Sequence, residues 1–283
     1  MEHLTIPARG MVFEASATGP ASGPSVLFLH GFPQTRRSWS HQLEALGAAG
    51  MRAVAFDQRG YSPGARPAEV SDYRLGELVE DAVSVADALG IERFDVVGHD
   101  WGAMVAWATA GRYPQRVRTL TAVSVPHPWA FADALRGDAD QAKRSSYIEV
   151  FRRPGGVAEQ RLLGEDGRGA GLRAMFVATG MPEDAPEIED FVAAMVEPGA
   201  LTAALNWYRA MSPEETAGIG SVVVPTLFVW STDDQAIGRQ AAEACGKFVS
   251  APYRFEVLEG VSHWIPETAP DDLNRLLLEH LGD

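Results

Sequence analysis

The sequence predicts an α/β fold: a mostly parallel central sheet flanked by helices, with an inserted helical cap. Three observations predict it. Short aliphatic runs recur along the first 125 positions and return after 219. Helical spacing appears between them, as in Leu75, Leu78, Val79, Ala82, Val83, Ala86 and Leu89. The alternation stops near Pro126 and leaves a helical, polar interval before it resumes. Near-continuous apolar strands alternating with amphipathic helices imply a parallel sheet covered on both faces.

The elements follow in order. Ser25-Val26-Leu27-Phe28-Leu29-His30 reads as a buried strand, as do Ala53–Phe56, Phe94–Val97 and Thr119–Val125. From Pro126 to about Gly218 no convincing strand appears. That interval holds a Gly-rich stretch, Gly164–Gly171, and an acidic one, Glu183–Asp190. A strand is expected again at Val222–Trp230, a helix near 236–249, a strand at Arg254–Leu258 and a final helix from about Glu267. The expected division is 1–125 as the first part of the core, 126–218 as the cap and 219–283 as the second part of the core. The Gly-rich stretch lacks a preceding strand and a following Lys-Ser/Thr. It is read as a loop, not a phosphate cradle.

The densest chemistry lies at Asp95-Val96-Val97-Gly98-His99-Asp100-Trp101-Gly102-Ala103-Met104. A β-branched run feeds a Gly-x-Asp-x-Gly turn, and an apolar helix follows. This is the strand, sharp turn and helix of a nucleophile elbow, with Asp100 where a serine is usual. A serine that attacked a saturated carbon would be trapped as an ether. A carboxylate makes an ester, which water can cleave at the carboxyl carbon. Asp100 therefore points to displacement at sp3 carbon rather than to acyl transfer.

Partners are expected downstream, in the order nucleophile, acid, histidine. His263 stands in Gly260-Val261-Ser262-His263-Trp264, just past the last strand. Trp230-Ser231-Thr232-Asp233-Asp234 offers two acids, and Asp234 is favoured over Asp233 from its spacing past the strand end. Either could instead cap the helix that follows. The oxyanion hole is expected from the backbone N–H of Trp101 and, in His30-Gly31-Phe32-Pro33, that of Phe32. A cis Phe32-Pro33 bond suits a tight turn there. His30, His99 and His127 are read as structural neighbours of these elements.

Gly98-His99-Asp100-Trp101-Gly102, His30-Gly31-Phe32-Pro33 and Ser262-His263-Trp264 together resemble the α/β-hydrolase-fold epoxide hydrolases. The haloalkane and haloacid dehalogenases of that fold share much of the pattern. The resemblance covers nearly the whole chain, the cap included. It implies a hydrolase acting on ether bonds, with Asp100, Asp234 and His263 as triad. The cap separates the two chemistries. Epoxide opening leaves an alkoxide that needs an acid, and two neutral phenols would serve. Halide departure needs no proton. The tyrosines between Pro126 and Gly218 are Tyr147 and Tyr208. Leu205-Asn206-Trp207-Tyr208-Arg209 is similar to the segment carrying the second lid tyrosine of epoxide hydrolases, and Tyr147 sits where the first is expected. The loop Asp57–Gly64 departs from the Gly-x-Ser ending common in the family.

Composition narrows the rest. The chain has 283 residues, 46% hydrophobic and 22% charged, as in ordinary globular proteins. A net charge of −14 argues against nucleic-acid and anionic-membrane partners. The single Cys245 cannot form an internal disulfide, and no secretory signal or bilayer-length apolar run is visible, so a cytoplasmic setting is expected. The expected partners are a small-molecule epoxide and water, with no cofactor and no metal. Oligomeric state stays open, with room for a homodimer. Two rivals stand: a dehalogenase using the same Asp100, and a ligand-binding receptor that keeps an intact triad without turnover.

Overall fold

The computed structural model describes residues 1–282. Strands β1 (Glu2–Ala8), β2 (Met11–Thr18), β3 (Ser25–Leu29), β4 (Arg52–Phe56), β5 (Phe94–His99), β6 (Val117–Val123), β7 (Thr226–Asp233) and β8 (Tyr253–Ser262) form one sheet in the order β1-β2-β4-β3-β5-β6-β7-β8. Strand β2 pairs antiparallel with β1 and β4, and the remaining ladders are parallel. The chain thus adopts the α/β-hydrolase fold. The hairpin β1/β2 was not among the expected strands. Its pattern is the alternating one of a half-exposed edge, and Pro7 is tolerated because β1 is the edge strand.

Helices α1 (Ser40–Ala48), α2 (Leu75–Ala88) and α3 (Trp101–Arg112) lie between the early strands. The side chains of β3 alternate between two apolar layers. Val26 and Phe28 join Trp39, Leu43, Leu273 and Leu277 on one face, while Leu27 and Leu29 join Val79, Val105 and Trp107 on the other. Burial on both faces is why these strands read as unbroken apolar runs.

Between β6 and β7 the chain is helical: α4 (Pro128–Gly137), α5 (Ala139–Arg144), α6 (Tyr147–Arg152), α7 (Val157–Leu163), α8 (Ala170–Ala178), α9 (Pro186–Met195), α10 (Ala200–Arg209) and α11 (Pro213–Ala217). The Gly-rich stretch carries the chain from α7 to α8, with Gly164 and Gly169 in left-handed backbone (φ 77 and 82). Helices α5 and α6 are separated at Ser145-Ser146, so Tyr147 opens α6.

Other bounds also differ. The strand expected from Val222 begins at Thr226, because Pro225 has no N–H to offer a ladder; Val222 makes one isolated bridge, to Val249. The strand expected to reach Val125 ends at Val123, where Ser124 turns to φ +70. The helix expected near 236–249 is α12 (Arg239–Ala244) followed by a 3-10 turn, Cys245–Phe248. The last helix divides into α13 (Ile265–Thr268) and α14 (Pro270–Gly282). Among the described residues no helix is long and apolar enough to cross a membrane.

Candidate active site

The elbow is built from close backbone approaches. Asp100 has φ 52 and ψ −120, a conformation few non-glycine residues adopt. A Cβ on Gly102 would stand 2.0 Å from the Leu29 carbonyl oxygen, and one on Gly98 would stand 2.2 Å from that of Gly102. Only glycine lets α3 press this tightly on the sheet. A Cβ on Gly31 would stand 2.4 Å from the Asp100 Cβ, so the loop after β3 lies directly against the nucleophile position. The Phe32-Pro33 bond in that loop is cis, as expected.

That approach brings the Phe32 N–H to donate to Asp100 Oδ1 at 2.8 Å. The other oxygen, Oδ2, faces His263 Nε2 at 3.6 Å. His263 Nδ1 lies 3.0 Å from Asp234 Oδ2. The structure therefore brings Asp100, His263 and Asp234 together. Asp233 is exposed, with its carboxylate beside the Thr232 hydroxyl. Asp234 also accepts, at Oδ1, from the N–H groups of Ala236 and Ile237, so one carboxylate meets the histidine and shapes the following turn. From α5, Gln141 bonds Ala236 and Gly238, fixing the Asp234 loop from outside.

Tyr147 and Tyr208 face each other with ring centroids 6.2 Å apart. Both line a cavity of about 230 Å³ with Asp100, His263, Phe32, Phe151, Met175, Thr179 and Trp264. A narrower space of about 40 Å³ continues past Asp100 and Trp101 to Met104, Phe131 and Met211. A larger cavity of about 580 Å³ lies beyond it and touches neither Asp100, Asp234 nor His263. Helix α10, which carries Tyr208, is seated on the Asp57–Gly64 loop: Trp207 Nε1 donates to the Arg59 carbonyl at 2.8 Å. Arg59 is itself gripped by buried Asp81 through two bonds of 2.6 and 2.7 Å. The loop that departs from the family pattern thus supports α10.

Electrostatics set the protonation states. Burial alone would raise Asp100 and Asp234, but the His263 imidazole outweighs it for both and holds them below the usual carboxylate range. Burial would lower His263, but Asp234 and Asp100 overcome it and hold it up to about 10. At neutral pH the three side chains are an imidazolium between two carboxylates. Burial, and after it Asp100, raises the phenol of Tyr147; burial, then Tyr147 and Asp100, does the same for Tyr208. Both phenols keep their protons at neutral pH.

The histidines read as structural are placed as such. His30 Nε2 accepts from the Gln58 N–H, and His99 bridges Gln34 and the His263 carbonyl. His127 stacks on Phe248 and caps α4, and does not line the 230 Å³ cavity. Burial lowers all three to about 4. Their neutral forms contribute stability above the ordinary value of 6.5, and that stability is lost as pH falls towards about 4. Glu267 acts the other way: burial raises it to about 8, so its protonation favours the fold as pH drops. One carboxyl offsets one imidazole of three. A falling Tm is expected from pH 6.5 towards 4 in thermal melts, and a flat Tm would contradict this assignment.

Ser124 was not singled out from the sequence. Its hydroxyl lies 2.6 Å from Asp234 Oδ2 and 2.9 Å from His263 Nδ1. Its place one residue past β6, at the same sheet edge as Asp100 and Asp234, is the signal that could have found it. Reading the strand through to Val125 hid it.

The chain matches the family described as alpha/beta hydrolase fold over residues 24–270. It is 32% identical over 280 residues to an AB hydrolase superfamily protein, YfhM, of Bacillus subtilis, covering 96% of this chain and 95% of that one. It is 31% identical over 315 residues to epoxide hydrolase A of Mycobacterium tuberculosis, covering 98% and 96%. Among solved structures, the Bacillus megaterium epoxide hydrolase in complex with an inhibitor superposes with a TM-score of 0.88 at 26% identity, covering 99% of this chain and all (100%) of that one.

Proposed function

Because the chain belongs to the α/β-hydrolase fold family and within it to the epoxide hydrolases, we propose that it converts an epoxide to a vicinal diol through a hydroxyalkyl ester on Asp100. The observation that carries this reading is a buried carboxylate at the elbow with two neutral phenols across one cavity. In that reading residues 126–218 act as a cap over the core. The enzyme works in the cytoplasm on a small-molecule epoxide and water.

In the first step Asp100 Oδ2, the oxygen not held by Phe32, attacks the less hindered epoxide carbon. Tyr147 and Tyr208 hydrogen-bond the epoxide oxygen, and one gives it a proton as the C–O bond breaks. The ester on Asp100 is neutral. His263 has then lost one of the two charges that raise it, and its proton returns through solvent to the tyrosinate. Neutral His263, oriented by Asp234, takes a proton from water at Nε2 while the water oxygen attacks the Asp100 carboxyl carbon. The Phe32 and Trp101 N–H groups hold the oxyanion on Oδ1, a contribution of roughly 3–4 kcal/mol for one such donor. As the tetrahedral centre collapses, the second proton of the water passes from the new carboxyl hydroxyl to the departing Oδ2, the diol leaves, and the imidazolium between two carboxylates is restored.

The tyrosines test the reaction class. Tyr208→Phe is expected to lower kcat for styrene oxide by about 100-fold, and the Tyr147→Phe, Tyr208→Phe pair by more. Halide release from chloroacetate and fluoroacetate is measured alongside. Halide release that survives loss of both phenols, with no epoxide turnover in the unmodified enzyme, would transfer the chain to the dehalogenases.

A further inference from the structure

We infer that Ser124 is a positioning residue of the hydrolytic step: its hydroxyl locks the Asp234 carboxylate and fixes the proton-bearing nitrogen of His263, so that Nε2 is the nitrogen left to activate water. The inference rests on the two-step reading above.

Three observations meet at this residue. Ser124 is fully buried. It holds φ +70, and the other non-glycine residues with positive φ among the described ones are Arg9 and Asp100. Glycine would occupy this backbone without strain. A serine kept there, with its N–H already bonded to the Val229 carbonyl at 2.8 Å, has only its hydroxyl to offer.

The hydroxyl closes a triangle. Its oxygen is 2.6 Å from Asp234 Oδ2 and 2.9 Å from His263 Nδ1, and those two atoms are 3.0 Å apart. A hydroxyl has one hydrogen, and an ionised carboxylate can only accept. The hydrogen therefore goes to Asp234, and the oxygen turns a lone pair towards His263. Nδ1 must then carry a proton, which two acceptors share. Asp234 Oδ1 is filled by the Ala236 and Ile237 N–H groups at 2.7 and 2.9 Å, so the carboxylate cannot rotate without losing bonds. When His263 gives up a proton after the ester forms, the one on Nε2 is the one without a second partner.

The alkylation step does not use His263 as a base, so the two half-reactions separate the roles. Ser124→Gly removes the hydroxyl and suits φ +70, so it keeps the fold; Ser124→Ala removes the hydroxyl and keeps the strain. Each is mixed with styrene oxide, quenched at intervals, and read by intact mass for the ester and by diol release. Both are expected to form ester within about twofold of the unmodified rate and to hydrolyse it at least about tenfold more slowly. Ester accumulates, and the pH midpoint of hydrolysis moves upward because the freed Asp234 holds the imidazolium proton harder. A loosened fold would slow both steps alike and move no midpoint. Ester that hydrolyses in Ser124→Gly at the unmodified rate overturns this inference and leaves the two-step reading standing. An unmodified enzyme whose first-turnover diol in heavy-oxygen water carries the heavy oxygen overturns both.

Discussion

Replacing Asp100 with asparagine is expected to lower kcat on any epoxide by roughly 10,000-fold or more, since the amide cannot displace at carbon and no other carboxylate among the described residues lines its cavity. The unmodified enzyme supplies the contrast. In a single turnover in heavy-oxygen water, the oxygen added to the diol is expected to come from Asp100, with the heavy atom left in the carboxylate and released in later turnovers. Diol carrying heavy oxygen from the first turnover would show direct attack by water and sink the ester route. The variant has a second readout. His263 stands at about 10 partly because Asp100 is charged, so the amide should bring it down, visible as an imidazole titration by NMR. A raised histidine contributes fully below 6.5 and loses that contribution as pH rises through about 10. The variant should therefore lose less stability than the unmodified chain over that alkaline range.

His263→Gln is expected to stop the cycle halfway. Asp100 is already ionised and needs no base, so the first step proceeds. Without a base aimed at water the ester persists, and kcat falls by about 1,000-fold or more. Intact mass after exposure to styrene oxide should show one adduct per chain, mapping to the peptide with Asp100. A variant that recovers unmodified at the normal rate would show that another group activates water. Because Asp234 and Ser124 both address Nδ1, removing the ring also leaves two buried polar groups to find other partners, so a melt is needed beside the kinetics.

Legibility followed the range of the signal. The buried parallel strands announce themselves because both faces are apolar, as Val26, Leu27, Phe28 and Leu29 show. Asp100, His263 and Asp234 were legible because each stands at a strand end with turn chemistry around it. Placing Asp234 over Asp233 rested on spacing alone, and the structure leaves the second exposed. The place of Tyr147 and Tyr208 on the cavity was legible through the resemblance, not from periodicity, which would equally have made them packed helix residues. The edge hairpin was missed because its alternation is weak and Pro7 argues against a strand. Ser124 was missed because a left-handed serine looks, in a sequence, like one more strand residue. The support of α10 joins Trp207 to Arg59, 148 residues apart, and Arg59 to Asp81, 22 apart, and has no local signature.

The hydrogen bond from Phe32 N–H to Asp100 Oδ1 has a consequence for what the site refuses. In resting protein the seat for a developing oxyanion is already taken, by an oxygen of the protein itself. An ordinary ester or amide entering the cavity would need that N–H for its own carbonyl, and would have to evict a buried carboxylate to reach it. Reagents that trap serine esterases by mimicking a tetrahedral centre meet the same filled seat. The enzyme is thus shut to carboxylic-ester substrates twice, once by the identity of its nucleophile and once by where that nucleophile rests.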